Sequence, residues 1–210
     1  MLAAFMEGWP LYVATGLFGL IVGSFLNVVI LRLPARLMHD WRVQSRELLG
    51  LDAPTDEPVP PGIVVEPSHC PQCRHRLGAF DNIPLIGWLL LRGRCRYCHA
   101  PISAQYPLVE LLSGLVALAV VWKFGASWQA LAGLGLSFAL IAASGIDVRT
   151  QLLPDQITMP LLWLGLLLAL VPLFIDPSAA ILGAALGYLA LWSVYWLFKL
   201  ATGKEGMGYG

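Results

Sequence analysis

The chain has 210 residues, of which 58% are hydrophobic and 12% charged, with a mean hydropathy of +0.71 and a net charge of zero. An ordinary soluble domain is about a quarter charged, so the composition excludes a soluble globule and fits a chain embedded in lipid. The charge balance leaves neither the basic face that nucleic acid requires nor an acidic solvating tail, so lipid is an expected partner and nucleic acid is not.

Five apolar runs follow in order, at 11–31, 108–122, 129–146, 157–175 and 179–198. A crossing helix takes about 20 predominantly apolar residues. The 108–122 run is short and must borrow from its flanks. The residues before the first run contain Glu7 and no Lys or Arg, so that run reads as a retained helix rather than a cleaved signal. Nine of the thirteen Lys and Arg fall between Arg32 and Arg96, and Arg149, Lys199 and Lys204 come later. Threading five spans in order puts all of these on one side and leaves only Lys123 on the other. By the positive-inside rule the crowded side is cytoplasmic and the N-terminus is outside. The predicted architecture is an all-α polytopic membrane protein with about five transmembrane helices. It divides into a first helix (1–31), a cytoplasmic insert (32–107) and a membrane domain (108–210).

The insert has two parts. The 36–67 stretch is mixed in charge and turns Pro-rich from Asp52; it buries too little apolar surface to order itself and is predicted to be a mobile linker. The second part holds every cysteine, as Cys70-Pro-Gln-Cys73 and Cys95-Arg-Tyr-Cys98. Two such pairs about twenty residues apart match a four-cysteine zinc site, in which each tight turn aims two sulfurs at one tetrahedral, structural Zn2+. Two disulfides would need an oxidising compartment, and one redox-active pair would leave the other unexplained. Arg74, Arg94 and Arg96 are placed to offset thiolate charge. The apolar stretch from Phe80 to Leu91 is expected to dock the insert on the membrane helices.

Ionisable groups inside a membrane are costly and mark function. Asp147 ends the third run and Asp155 precedes the fourth. Asp155 suits a helix cap. Asp147 sits where the helix dipole disfavours an anion, with Arg149 as a possible ion-pair partner. Asn27 and Glu110 are expected to be interhelical hydrogen-bonding groups. A lone aspartate at a membrane mouth suggests half of a carboxylate dyad, in which two carboxylates share a proton and one activates water.

These residues resemble the bacterial type IV prepilin peptidases. The likeness is carried by Gly23-Ser24-Phe25-Leu26-Asn27 with Arg32-Leu33-Pro34, the two cysteine pairs, Asp81-Asn82-Ile83-Pro84, Tyr106-Pro107-Leu108-Val109-Glu110, Ile146-Asp147, Leu153-Pro154-Asp155 and the terminal Gly208-Tyr209-Gly210. The resemblance implies a membrane aspartyl protease of the bacterial inner membrane that serves type IV pili and type II secretion. It would remove the leader of prepilins and pseudopilins, then methylate the new N-terminus with S-adenosylmethionine. It makes Asp147 one catalytic aspartate, expects the second directly after Gly210, and ties the insert to methylation. Since the sequence stops at Gly210, the 210-residue chain alone is expected not to cleave prepilin. A rival reading is a non-catalytic membrane scaffold whose knuckle docks a partner; a transporter would need polar or broken helices at mid-membrane.

Overall fold

The computed structural model describes residues 8–51, 58–78, 80–171 and 173–204. Among them there are helices, turns and two isolated bridges but no strand. The helices are α1 (Trp9–Leu48), α2 (Ile86–Leu90), α3 (Gln105–Phe124), α4 (Trp128–Thr150), α5 (Asp155–Leu170) and α6 (Pro177–Thr202), with one 3-10 turn at Phe80–Asn82. The chain forms two compact units, Met1–Gln151 and Leu152–Gly210.

Local chemistry sets the helix ends. Prolines open α1 and α6, where a missing N–H costs nothing. The Ser127 hydroxyl caps α4 by accepting from the Ala130 N–H at 3.1 Å. Gln151 closes α4 in the left-handed conformation, donating to the Asp147 carbonyl at 2.7 Å. α1, α3, α4 and α6 are long and apolar enough to cross a membrane, so the protein is a multi-pass helical membrane protein. The short 108–122 run gains its flanks, since α3 begins at Gln105 and ends at Phe124.

Two expectations change. The first helix does not end near residue 31: α1 runs 40 residues, roughly 60 Å at 1.5 Å per residue, twice the hydrocarbon thickness of about 30 Å. Pro34 forfeits one backbone bond, yet good helix formers such as Arg36, Leu37, Met38, Arg42 and Gln44 carry the helix to Leu48. Part of the stretch read as a mobile linker is therefore helix. Another part is strapped down: Arg32 donates to the Gly62, Glu66 and Pro67 carbonyls, and Arg36 donates to the Pro60 carbonyl. The linker's centre, 52–57, lies outside the described residues. The second change is α5, which stops at Leu170 after 16 residues rather than running to 175. Val171 precedes Pro172 in the sequence, and a residue before proline is driven out of helical geometry; it stands at φ −103°, ψ 102°.

In the first unit, α1, α3 and α4 pack together. The α1–α3 seam is built on small residues. A Cβ on Gly19 would lie 2.8 Å from the Ala117 Cβ, and one on Gly23 would lie 2.7 Å from the Glu110 Cα. This is the glycine-every-fourth-residue contact by which membrane helices approach closely. In the second unit, α5 and α6 pack on each other and leave most apolar side chains exposed, including Leu164, Leu186 and Leu197. Helices apolar on every side suit lipid or further helices rather than water.

Candidate functional site

The insert closes around the cysteines by two copies of one turn. In the first, the Cys70 N–H donates to the His75 carbonyl, the Arg74 N–H to the Cys70 carbonyl, and the Leu77 N–H to the Ser68 carbonyl, each at 2.9 Å. In the second, the Cys95 N–H donates to the Ala100 carbonyl, the His99 N–H to the Cys95 carbonyl, and the Ile102 N–H to the Gly93 carbonyl. Arg74 and His99 hold the matching left-handed position of each turn, both at φ 56°. The His75 and Tyr97 rings meet across the two turns with centroids 3.5 Å apart.

All four sulfurs lie within 4.8 Å of one another. Cys70 and Cys98 are 3.7 Å apart, and Cys73 and Cys95 are 4.0 Å apart. A disulfide needs about 2.05 Å, so these are four free thiols. Four ligands about 2.3 Å from a tetrahedral Zn2+ would stand roughly 3.8 Å apart, and the spacing fits. The Cys73 backbone N–H leads the groups that hold the Cys70 thiol down to about 7. For Cys98, the Ala100 N–H pulls the other way, but desolvation and the Cys73, Cys95 and Cys70 sulfurs push it up to about 11. Four sulfurs this close do not all ionise unaided, and a divalent cation is what permits it. Of the arginines expected to offset that charge, Arg96 is committed elsewhere. Its Nη2 lies 2.6 Å and its Nε 2.9 Å from Asp81 Oδ1.

Asp81 is the residue whose role the sequence reading missed. Its side chain is 5% exposed, and besides Arg96 it accepts from the Gly78 N–H at 3.2 Å. It thereby ties the 3-10 turn to the second cysteine turn. A carboxylate followed by Asn-Ile-Pro inside an otherwise apolar stretch was the available signal. Trp88 donates to the Ile102 carbonyl at 3.2 Å and covers Gly93, where φ is +66° and a Cβ would fall 2.8 Å from the indole.

The insert docks on the helices through Glu110, whose carboxylate accepts the Leu85 N–H at 2.8 Å and lies near the Ser24 side chain of α1. The hydrogen bond expected of Glu110 therefore runs to the insert, which it anchors. Asn27, 1% exposed, joins α1 to α3 by donating to the Tyr106 carbonyl at 3.0 Å. Where the insert meets the middle of α1, the start of α3 and the end of α4 there is a cavity of about 520 Å³, walled in part by Arg32, Trp88, Tyr106, Glu110 and Arg149.

Asp147 sits in the last turn of α4, exposed to the surroundings. It has no ion pair among the described residues. The pairing with Arg149 does not form, because Arg149 donates to Gln105 Oε1 at 2.6 Å. Asp155 is the first residue of α5 and is exposed; the cap position itself belongs to Pro154, with no side-chain cap bond. Its charge still favours the helix start. Asp147 and Asp155 belong to different units. Gly208, Tyr209 and Gly210 lie outside the described residues.

Two family models match the chain: the bacterial Peptidase A24 N-terminal domain over residues 17–124, and the Type IV leader peptidase family over residues 134–210. Among curated relatives, one from Xanthomonas campestris is 56% identical over 97% of this chain and 69% of its own length. One from Stutzerimonas stutzeri is 57% identical over 91% of this chain and 66% of its own length. One from Aeromonas hydrophila is 52% identical over 96% of this chain and 70% of its own length. All three carry the name prepilin leader peptidase/N-methyltransferase. This chain therefore spans about two thirds of the length of the relatives it matches. No solved structure matches it.

Proposed function

The chain belongs to the type IV leader peptidase family, and from that premise we propose that its protein is a bifunctional membrane enzyme, an aspartyl endopeptidase and N-methyltransferase acting on prepilins and pseudopilins. Asp147 carries this reading. A carboxylate in the last turn of a helix is opposed by the helix dipole, and this one has no cation to compensate it among the described residues. A charge that costs stability where it stands is best accounted for by chemistry.

In that role Asp147 is half of a dyad. One carboxylate takes a proton from water as the water oxygen attacks the scissile carbonyl, and the other, protonated, donates to the departing amine. The partner is expected directly after Gly210, in the part of the protein that the longer relatives contain. The reaction lies at the cytoplasmic mouth of the inner membrane, on the side where Lys and Arg concentrate. The 32–107 insert is the methylation-linked domain, held by one structural Zn2+ on Cys70, Cys73, Cys95 and Cys98. S-adenosylmethionine supplies the methyl group: the new amine forms the N–C bond, the C–S bond breaks with its electrons left on sulfur, and the amine proton passes to water.

Asp147→Asn in the protein of full relative length tests the assignment. Loss of the general acid–base pair lowers leader cleavage by at least about 100-fold, with binding of S-adenosylmethionine unchanged. Cleavage at the unmutated rate would remove Asp147 from the chemistry.

A further inference from the structure

The cavity between the insert and the helices falls within the roughly 300–1,000 Å³ that small-molecule sites occupy. Its α1 wall runs from Ser24 through Val28 to Arg32, one face of the helix at four-residue spacing. Ser24 and Val28 lie inside the first apolar run, and Arg32 is the first charge after it. Tyr106 stands in the first turn of α3 and Arg149 in the last turn of α4. The cavity therefore sits where the apolar spans give way to charge, at the depth of lipid headgroups and on the side where Lys and Arg concentrate.

The wall carries an excess of positive charge. Arg32 donates to the Gly62, Glu66 and Pro67 carbonyls, and Arg149 donates to the Gln105 amide oxygen. These acceptors are neutral, so both guanidiniums keep their charge, and neither has a carboxylate partner among the described residues. Two carboxyl groups share the wall. Asp81 is paired with Arg96, which stands outside it. Glu110 accepts the Leu85 N–H, and even as an anion it would offset only one of the two guanidiniums. Both guanidiniums act electrostatically on the Tyr106 hydroxyl, so their fields overlap in one part of the cavity. A basic pocket between membrane helices at this depth suits an anionic headgroup, and a guanidinium fork matches two phosphate oxygens. Among the described residues Arg149 bonds through Nη1 alone, which leaves its Nε–Nη2 edge for such a pair.

We propose that this cavity binds a phosphate group between Arg32 and Arg149, and that the phosphate belongs to an anionic phospholipid. The lipid is favoured over a soluble phosphate by the rest of the wall. Val28, Leu31 and Trp88 give apolar cover to the carbons next to a lipid phosphate, which a free phosphate lacks. Trp88 and Tyr106 are side chains that the bilayer interface favours. Arg32 also straps the 60–67 stretch, so the bound lipid joins the insert to α1 and α4.

Native mass spectrometry of the unmutated chain, released from detergent with phosphatidylglycerol or phosphatidylcholine present, tests the ligand. Phosphatidylglycerol is expected to be retained as a single lipid, and phosphatidylcholine, whose choline cancels the phosphate charge, at least about fivefold more weakly. Equal retention of the two overturns the anionic ligand. Arg149→Gln should weaken phosphatidylglycerol by about fivefold, the contribution of one cation near an anionic lipid surface. Arg46→Gln removes the same charge from the last turn of α1, outside the wall, and should change nothing. No loss in Arg149→Gln, or an equal loss in both variants, overturns the site. Millimolar inorganic phosphate should leave the lipid in place; its displacement would make a soluble phosphate the ligand and overturn the lipid as source. Location is read on the unmutated chain with phosphatidylglycerol bearing a photoreactive headgroup. Label displaced by plain phosphatidylglycerol should fall on peptides from 24–32, 81–110 or 145–151, and displaceable label confined to other segments overturns the cavity as the site.

Discussion

Cys95 shows how much of the insert hangs on single atoms. It is 1% exposed, its sulfur faces Cys73 at 4.0 Å, and its backbone N–H closes the second turn on the Ala100 carbonyl at 2.8 Å. Around it, Cys70 is buried while Cys73 and Cys98 are exposed, so the cluster is a surface staple rather than part of an apolar core. A segment this small seldom supplies more than a few kcal/mol from its own core, whereas structural zinc contributes about 10–16 kcal/mol in small domains at neutral pH. Elemental analysis of the purified chain should return one zinc per molecule, and Cys95→Ser should abolish it. In that variant the insert should become sensitive to protease. Far-UV circular dichroism should stay strongly helical, because the apolar spans do not depend on the metal. Protease resistance of the insert in the zinc-free variant would show that the staple is dispensable.

Packing of α1 on α3 demands small side chains along the seam. Gly23→Ala puts a methyl group 2.7 Å from a backbone atom of α3 and 2.9 Å from the Ser113 side chain. The seam must open, at a cost of about 1–3 kcal/mol. Gly187 in α6 has nothing within 4 Å of a built Cβ, so Gly187→Ala should be neutral or stabilising by up to about 1 kcal/mol, from helix propensity. Thermal unfolding of the two variants in one detergent measures the contrast, and equal midpoints would mean that the seam is not close-packed. Both glycines follow another glycine by four residues, Gly19 before Gly23 and Gly183 before Gly187, so that spacing does not tell the close-packed one from the open one, which marks the boundary of what the sequence made legible. The knuckle was legible because ligand spacing is local, and the spans were legible because apolar length is local. The bond from Glu110 to Leu85, the Arg96–Asp81 pair and the arginine strap over 60–67 join residues far apart in the chain. No periodicity announces them. The length of α1 was misjudged for a different reason: Pro34 and the surrounding charges resemble a boundary, although a helix leaving the membrane for water has no need to stop there.

At the scale of the whole molecule the open matter is how many times the chain crosses the bilayer. Four helices meet the length for crossing. α5, at 16 residues, reaches about 24 Å against a hydrocarbon core of about 30 Å. A shortfall of that size costs fractions of a kcal/mol per Å, and local thinning of the bilayer absorbs it. The alternative carries a larger penalty. If α5 does not cross, α6 starts on the cytoplasmic side and delivers Lys199 and Lys204 to the outside, against the positive-inside rule. Lys199 also lies over the Tyr195 and Trp196 rings, at 5.7 and 5.6 Å from their centroids, a cation–π contact that helps to hold a charge near the end of α6. Five crossings are therefore expected, with the N-terminus outside and Lys204 in the cytoplasm. Reporter fusions after Gly125, Gln151, Asp176 and Lys204 should score outside, inside, outside and inside. An outside score at Lys204 together with an inside score at Asp176 would reduce α5 to an interfacial helix, reverse α6, and place the two terminal lysines on the face away from Asp147.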